Sequence, residues 1–149
     1  MDVRYEVFKK EHLSQLEPQE TQAEFISTMT SGLMDYPMYL ESVGLIETLM
    51  LDGVVVAIGG VVPLNKGSAE GFVVLSETAK KHPRTLVSWM RTYLNAVQFV
   101  HGFHRIQTLV VEDFERGHRF IGKLGFKAEG TLEAYGEDRT NFVMYGRVI

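Results

Sequence analysis

Between Glu70 and Val111 the chain reads as strand, long helix, strand, and this succession restricts the fold more than any other feature. Glu70 to Leu75 is a short apolar run bounded by Ser76-Glu77-Thr78. From Thr85 onward Leu86, Met90, Tyr93, Val97 and Val100 recur at intervals of 4, 3, 4 and 3, which places them on one helix face. Pro83 suits the first turn of that helix. Arg105 to Val111 is strand-like again. The helix must return the chain to a parallel neighbour, the right-handed βαβ crossover, and a ligand is expected outside the carboxyl end of the first strand.

The flanking segments complete a mixed sheet. Val3 to Phe8 alternates as a half-buried opening strand, and Phe25, Met29 and Leu33 are spaced as a helix after Glu17-Pro18. Leu45 to Leu51 and Val54 to Val62 form a hairpin across Asp52-Gly53, a dipeptide suited to the type I′ turn. Asn65-Lys66-Gly67-Ser68 is a second turn. A short helix from Glu115 to Leu124 stops at Gly125, and Phe126 to Glu133 and Asn141 to Ile149 supply two last strands. The predicted order is β-α-β-β-β-α-β-α-β-β. This is an α/β fold with a mixed sheet, a central βαβ unit and flanking helices, as a single domain over residues 1–149.

Composition narrows the chemistry. The 149 residues contain no cysteine, which removes disulfides, thiol nucleophiles and cysteine-ligated zinc, and the five histidines never take a metal-ligand spacing. No metal is expected. The apolar stretch Val54 to Pro63 is broken by Gly59 and Gly60 and is too short to span a bilayer, so no membrane role is expected. The start Met1-Asp2-Val3-Arg4 lacks a signal-peptide pattern, and a cytoplasmic location follows as the expectation. Up to Val62 three basic residues face ten acidic ones; from Pro63 twelve Lys and Arg face nine Asp and Glu. An anionic ligand is therefore expected in the second half, but the basic excess is too small for nucleic acid.

The element order, with Lys123-Leu124-Gly125-Phe126 closing the short helix before a final hairpin, resembles the GCN5-related N-acetyltransferase (GNAT) family over nearly the whole chain. Phe120 to Leu132 is similar to that family's closing helix and sixth strand. Tyr135 and Phe142-Val143-Met144-Tyr145-Gly146-Arg147 resemble its ribosomal-protein acetyltransferase branch. The segments Glu47 to Gly53, Gly59-Gly60-Val61-Val62-Pro63 and Lys81-His82-Pro83-Arg84-Thr85 are also similar to short acetyltransferase-like proteins of tailed bacteriophages, some of them internal virion proteins.

The resemblance implies transfer of an acetyl group from acetyl-CoA to an amine acceptor. The strand ending Val73-Val74-Leu75 would offer free backbone groups to the pantetheine arm, with an N–H near Val74 polarising the thioester. Lys80, Lys81, His82, Arg84 and Thr85 would meet the pyrophosphate at the helix N-terminus. Glu70 occupies the place of a general base, and Tyr135 would protonate the departing thiolate. Three departures stand out: Ser76 to Leu86 has no glycine where the family cradles pyrophosphate, Phe114 replaces the usual Asn, and Ile121 replaces the usual acid Tyr. A catalytically inactive virion or ejection protein that keeps the fold is therefore the alternative, with virion neighbours or a second copy as partners.

Each residue also has a structural reading. Glu70 also reads as a solvated strand-end carboxylate, Tyr135 as a packed ring, and His82 as part of a solvated loop; Arg84 can fork onto phosphate or pair with an acid. Trp89 reads as core rather than cofactor stacking, and His101-Gly102-Phe103-His104 as a helix cap rather than a catalytic pair. Glu112-Asp113 with Glu115-Arg116 resembles an acceptor-lining loop and also reads as a solvated charge cluster, and Arg116 and Arg119 would reach a CoA phosphate. Met34 to Tyr39 reads as a contact surface on the acceptor side.

Overall fold

The Asp52-Gly53 turn forms as the dipeptide predicts. Both residues have positive φ, 51° and 79°, the signature of type I′, and it joins β2 (Ile46–Leu51) to β3 (Val54–Pro63). The computed structural model describes residues 1–19, 36–43 and 45–149. The helix expected from Phe25 to Leu33 lies outside the described residues, as do Met34 and Asp35 of the proposed contact surface.

The other strands are β1 (Val3–Val7), β4 (Ser68–Leu75), β5 (Arg105–Val111), β6 (Lys127–Leu132) and β7 (Phe142–Val148). The helices are α1 (Lys10–Gln15), α2 (Tyr36–Val43), α3 (Pro83–His101) and α4 (Glu115–Lys123), with a 3-10 helix at Thr78–Lys81. They form a seven-stranded mixed sheet of order β1-β2-β3-β4-β5-β7-β6. β4 and β5 run parallel, as the crossover requires, whereas β1/β2, β2/β3, β5/β7 and β6/β7 are antiparallel. Contacts divide the chain into two units, Met1–Val62 with Val73–Leu86, and Pro63–Phe72 with Val87–Ile149.

In the first unit β3 is buried on both faces from Val55 to Val61, which is why its sequence is continuously apolar. Phe8, Leu13, Leu16, Leu40, Leu49, Val56, Ile58 and Val74 are among its buried side chains. β1 departs from expectation: Tyr5 and Val7 are exposed on the edge strand and Phe8, just past its end, is buried. Helices α1 and α2 were not foreseen, because neither is long enough to show a sustained apolar period. His12 on α1 is buried: its Nδ1 accepts the Lys9 N–H at 3.1 Å and lies 2.8 Å from the fully buried Thr48 hydroxyl.

In the second unit α3 buries Trp89, Met90, Tyr93, Leu94 and Val97, so Trp89 is core rather than a partner contact or a stacking surface. Val100 breaks the expected stripe at 70% exposed. The helix stops where Gly102, at φ 71°, donates to the Gln98 carbonyl at 3.0 Å, the cap read from His101-Gly102. Gly125, at φ 88°, ends α4, where its N–H donates to Gly122 O at 3.2 Å and the Phe126 N–H to Ile121 O at 3.3 Å. Arg147 of β7 then joins these parts. It donates to Leu124 O at 2.9 Å, to Asn95 Oδ1 at 2.5 Å and to Gln98 Oε1, linking the end of α4 to α3. Burial and the charge of Arg91 hold its pKa below the usual guanidinium value.

Candidate functional site

Pairing between the two crossover strands is short. The β4/β5 ladder comprises Ser68–Arg105, Ala69–Ile106 and Glu70–Gln107, yet β4 continues to Leu75 and β5 to Val111. Immediately beyond it a side chain takes over from the ladder: the Thr108 hydroxyl donates to Gly71 O at 2.9 Å. Glu70 is thus the last paired residue on β4, half-buried at the point where backbone pairing ends.

On the same unit Arg105 grips Glu129 with both terminal nitrogens, at 2.9 and 2.6 Å, and its Nε donates to Gln107 Oε1 at 3.0 Å. The hydrogen bonds raise the Arg105 pKa and hold the Glu129 carboxyl below the usual glutamate range. Gly146 of β7 makes room for this bridge, since a Cβ there would lie 2.6 Å from Glu129 Oε2. Because Arg105 claims the Gln107 oxygen, the Gln107 amide turns its N–H donors the other way, on the strand position paired with Glu70.

Tyr135 is 58% exposed in the β6–β7 connection, with its ring 5.4 Å from Phe142 in an edge-on contact. The loop around it is held by Asn141, whose Oδ1 accepts the Ala134 N–H at 2.8 Å, and by Asp138, whose carboxylate accepts both the N–H and the hydroxyl of Thr140. Those bonds keep the Asp138 carboxyl below its usual range. Phe114 is the residue before α4, its ring close beside Gly117, and Ile121 is buried in the helix. His118 is also committed: Glu112 O can only accept, so Nε2 carries the proton, and Nδ1 accepts the Tyr145 hydroxyl at 2.7 Å.

Val73, Val74 and Leu75 end β4 in the other unit, with Val74 fully buried and Leu75 9% exposed. The glycine-free segment that follows is a tight 3-10 turn. Ala79 N–H donates to Ser76 O and Oγ, Lys80 N–H to Glu77 O and His82 N–H to Ala79 O, at 3.0 to 3.2 Å. Those amides are turned inward and unavailable to a phosphate. What the segment does present is charge: Lys81 and Arg84 are exposed, His82 and Thr85 half-buried, and Lys80 is paired with Glu77 at 2.7 Å. The first partnered amide of α3 is Leu86, donating to His82 O at 3.1 Å, so Arg84 and Thr85 turn N–H groups out of the first turn beside the cations.

One contact was not foreseen. Glu17-Pro18-Gln19 forms an antiparallel bridge to Ser76: Gln19 N–H donates to Leu75 O at 3.0 Å and Glu77 N–H to Glu17 O at 3.2 Å. The Gln19 side-chain amide adds a bond to Ser76 O at 3.1 Å, and Gln19 is 4% exposed. This corrects the expectation of free backbone groups to the end of β4, since the Leu75 carbonyl is taken. The available sequence signal was Pro18, which biases Glu17 to extended backbone and needs no N–H in this bridge.

No family model matches the sequence, and no curated protein matches it. Solved structures do. The chain aligns over 100% of its length and 99% of the other chain with Ard1 from Thermoplasma volcanium, at a TM-score of 0.78 and 15% identity. The fold is that of the GCN5-related N-acetyltransferases. Other GNAT-fold structures similar to it are the ribosomal-protein-S5-alanine acetyltransferase from Vibrio fischeri (TM-score 0.68, 12% identity, 99% of this chain and 93% of that one) and yncA from Salmonella typhimurium, described with its cofactor acetyl-CoA (TM-score 0.72, 11% identity, 99% and 94%). Among the described residues no helix is long and apolar enough to cross a membrane. Against the GNAT expectation of a glycine cradle, the fit of this chain to a pyrophosphate is partial: cations and the first turn of α3 are in place, but the loop amides are bonded internally and the strand end is occupied.

Proposed function

We propose that the chain, as one acetyltransferase domain over residues 1–149, transfers an acetyl group from acetyl-CoA to a primary amine. The observation that carries this reading is the early end of the β4/β5 ladder at Glu70, followed by five more residues of β4 and a basic helix N-terminus. Past the ladder the β4 edge pairs with groups other than the β5 backbone, the Thr108 hydroxyl at Gly71 O and Gln19 at Leu75 O, an edge suited to an amide-bearing arm; Lys81, His82 and Arg84 offer side chains, and Arg84 and Thr85 backbone N–H groups, that suit its phosphates. Acetyl-CoA supplies the activated acyl group. Glu70 takes the proton from the attacking amine, directly or through a water, with Gln107 as its neighbour on β5. The amine nitrogen bonds to the carbonyl carbon as the carbon–sulfur bond breaks, and Tyr135 protonates the departing thiolate.

The test is acetyl-CoA consumption against a panel of amines. Glu70→Gln should lower kcat on the order of 10²-fold, and unchanged turnover in that variant removes Glu70 from the mechanism. The second reading is a virion structural protein that retains the fold without the chemistry; the bridge at Leu75 and the buried, non-polar Ile121 favour it. It requires the protein in purified phage particles, where its absence by mass spectrometry would count against it.

A further inference from the structure

Carbonyl direction along a strand repeats every second residue, and bonds at Gly67, Gly71 and Ser76 fix which way each row of β4 faces. Gly67 O accepts the Arg105 N–H at 3.2 Å and Gly71 O accepts the Thr108 hydroxyl at 2.9 Å, so the odd-numbered residues face the β5 edge. Ser76 N–H goes the opposite way, to Val56 O on β3 at 2.9 Å. Leu75 O and Glu77 N–H therefore belong to the odd-numbered row. They are the groups that Gln19 and Glu17 occupy.

We propose that Glu17-Pro18-Gln19 is an intramolecular strap that occupies the strand edge used by the acyl donor, so that acetyl-CoA binds by displacing it. The inference rests on the acyltransferase reading above. The strap presents the pattern an amide-bearing arm would present, an N–H to Leu75 O and a carbonyl to Glu77 N–H, so the two occupants compete for the same atoms. Pro18 sits at a position where the bridge uses no N–H. Gln19 strengthens the hold through its side-chain bond to Ser76 O, and Leu16, buried at the end of α1, anchors the strap on its N-terminal side. Glu77 joins strap and basic loop, because it donates to Glu17 O through its backbone while its carboxylate holds Lys80. Release of the strap therefore breaks the bonds at Leu75 O and Glu77 N–H at one event and loosens the segment that carries Lys80.

Two measurements test this together: amide hydrogen exchange at Gln19 with and without acetyl-CoA, and calorimetry of acetyl-CoA binding to the wild type and to Gln19→Pro. That substitution removes both the backbone and the side-chain donor. Acetyl-CoA should speed Gln19 exchange, and Gln19→Pro should bind about tenfold more tightly, the penalty of a partly closed site being removed. Binding to Gln19→Pro alone also supports the strap. Gln19→Gly, which keeps the backbone N–H and loses the side-chain bond, should gain a few-fold and decides the matter if the proline variant fails to fold. Tight binding to the wild type with Gln19 exchange unchanged or slowed, and no gain in either variant, overturns the strap and leaves the acyltransferase reading standing. No binding to any of the three proteins overturns both.

Discussion

Replacing Arg147 by Met should destabilise the fold by about 3 kcal/mol. The guanidinium bonds Leu124 O, Asn95 Oδ1 and Gln98 Oε1, and Gln98 is 2% exposed with its Nε2 already donating to Phe103 O at 3.1 Å. Methionine roughly fills the aliphatic stem but donates nothing, so the buried Gln98 oxygen loses its partner at a cost of about 1 to 3 kcal/mol, and a charged bond to the end of α4 is lost as well. The Asn95 bond is exposed and adds little. For a chain of this size about 3 kcal/mol lowers Tm by roughly 6 to 12 °C, readable by circular dichroism or calorimetry. Adding Gln98→Met should cost less in the Arg147→Met background than alone, because the donor to the Gln98 oxygen is already gone and the substitution removes an orphaned acceptor. A Tm drop of less than about 2 °C, or strict additivity, would refute the reasoning.

Two further outcomes concern stability. Gly60→Ala places a Cβ 2.3 Å from Leu45 O and 2.8 Å from the Ile46 Cα, backbone atoms that cannot turn aside, and should cost about 2 to 3 kcal/mol in a urea titration; a neutral substitution would show that β2 and β3 part more easily than their contact implies. The Arg105 fork holds the Glu129 carboxyl below its ordinary value of 4.5, so the pair's contribution is complete above that value and is lost as pH falls through the folded pKa. Glu129→Gln should therefore melt lower than the wild type at neutral pH and converge with it in acid; a constant offset across the titration would contradict the sign.

Much of this architecture was legible because its determinants are local. Asp52-Gly53, Gly102 and Gly125 each sit where backbone geometry requires positive φ, and the stripe from Leu86 to Val97 follows from helical period alone. Val100 failed because the period continues past the point where the helix has core to cover. Helices α1 and α2 were missed for want of length, and the exposed β1 because alternation reveals a strand but not whether a neighbour lies over it. The candidate site was legible in residue types: Glu70 at the strand, cations at the helix start. Its occupancy was not. That Gln19 takes the Leu75 carbonyl, or that Arg105 reaches Glu129 across Gly146, depends on long-range register that no local pattern encodes.

The proposed acyl-CoA site lies at the end of β4. Isothermal titration calorimetry with acetyl-CoA tests it most directly, with desulfo-CoA and ATP as controls for the sulfur and the nucleotide. Micromolar binding, about −8 kcal/mol, is expected, weakening when Arg84 is replaced by Glu and with added salt. No heat at millimolar acetyl-CoA, in the wild type and in Gln19→Pro alike, would contradict it and leave a fold that has parted from its chemistry.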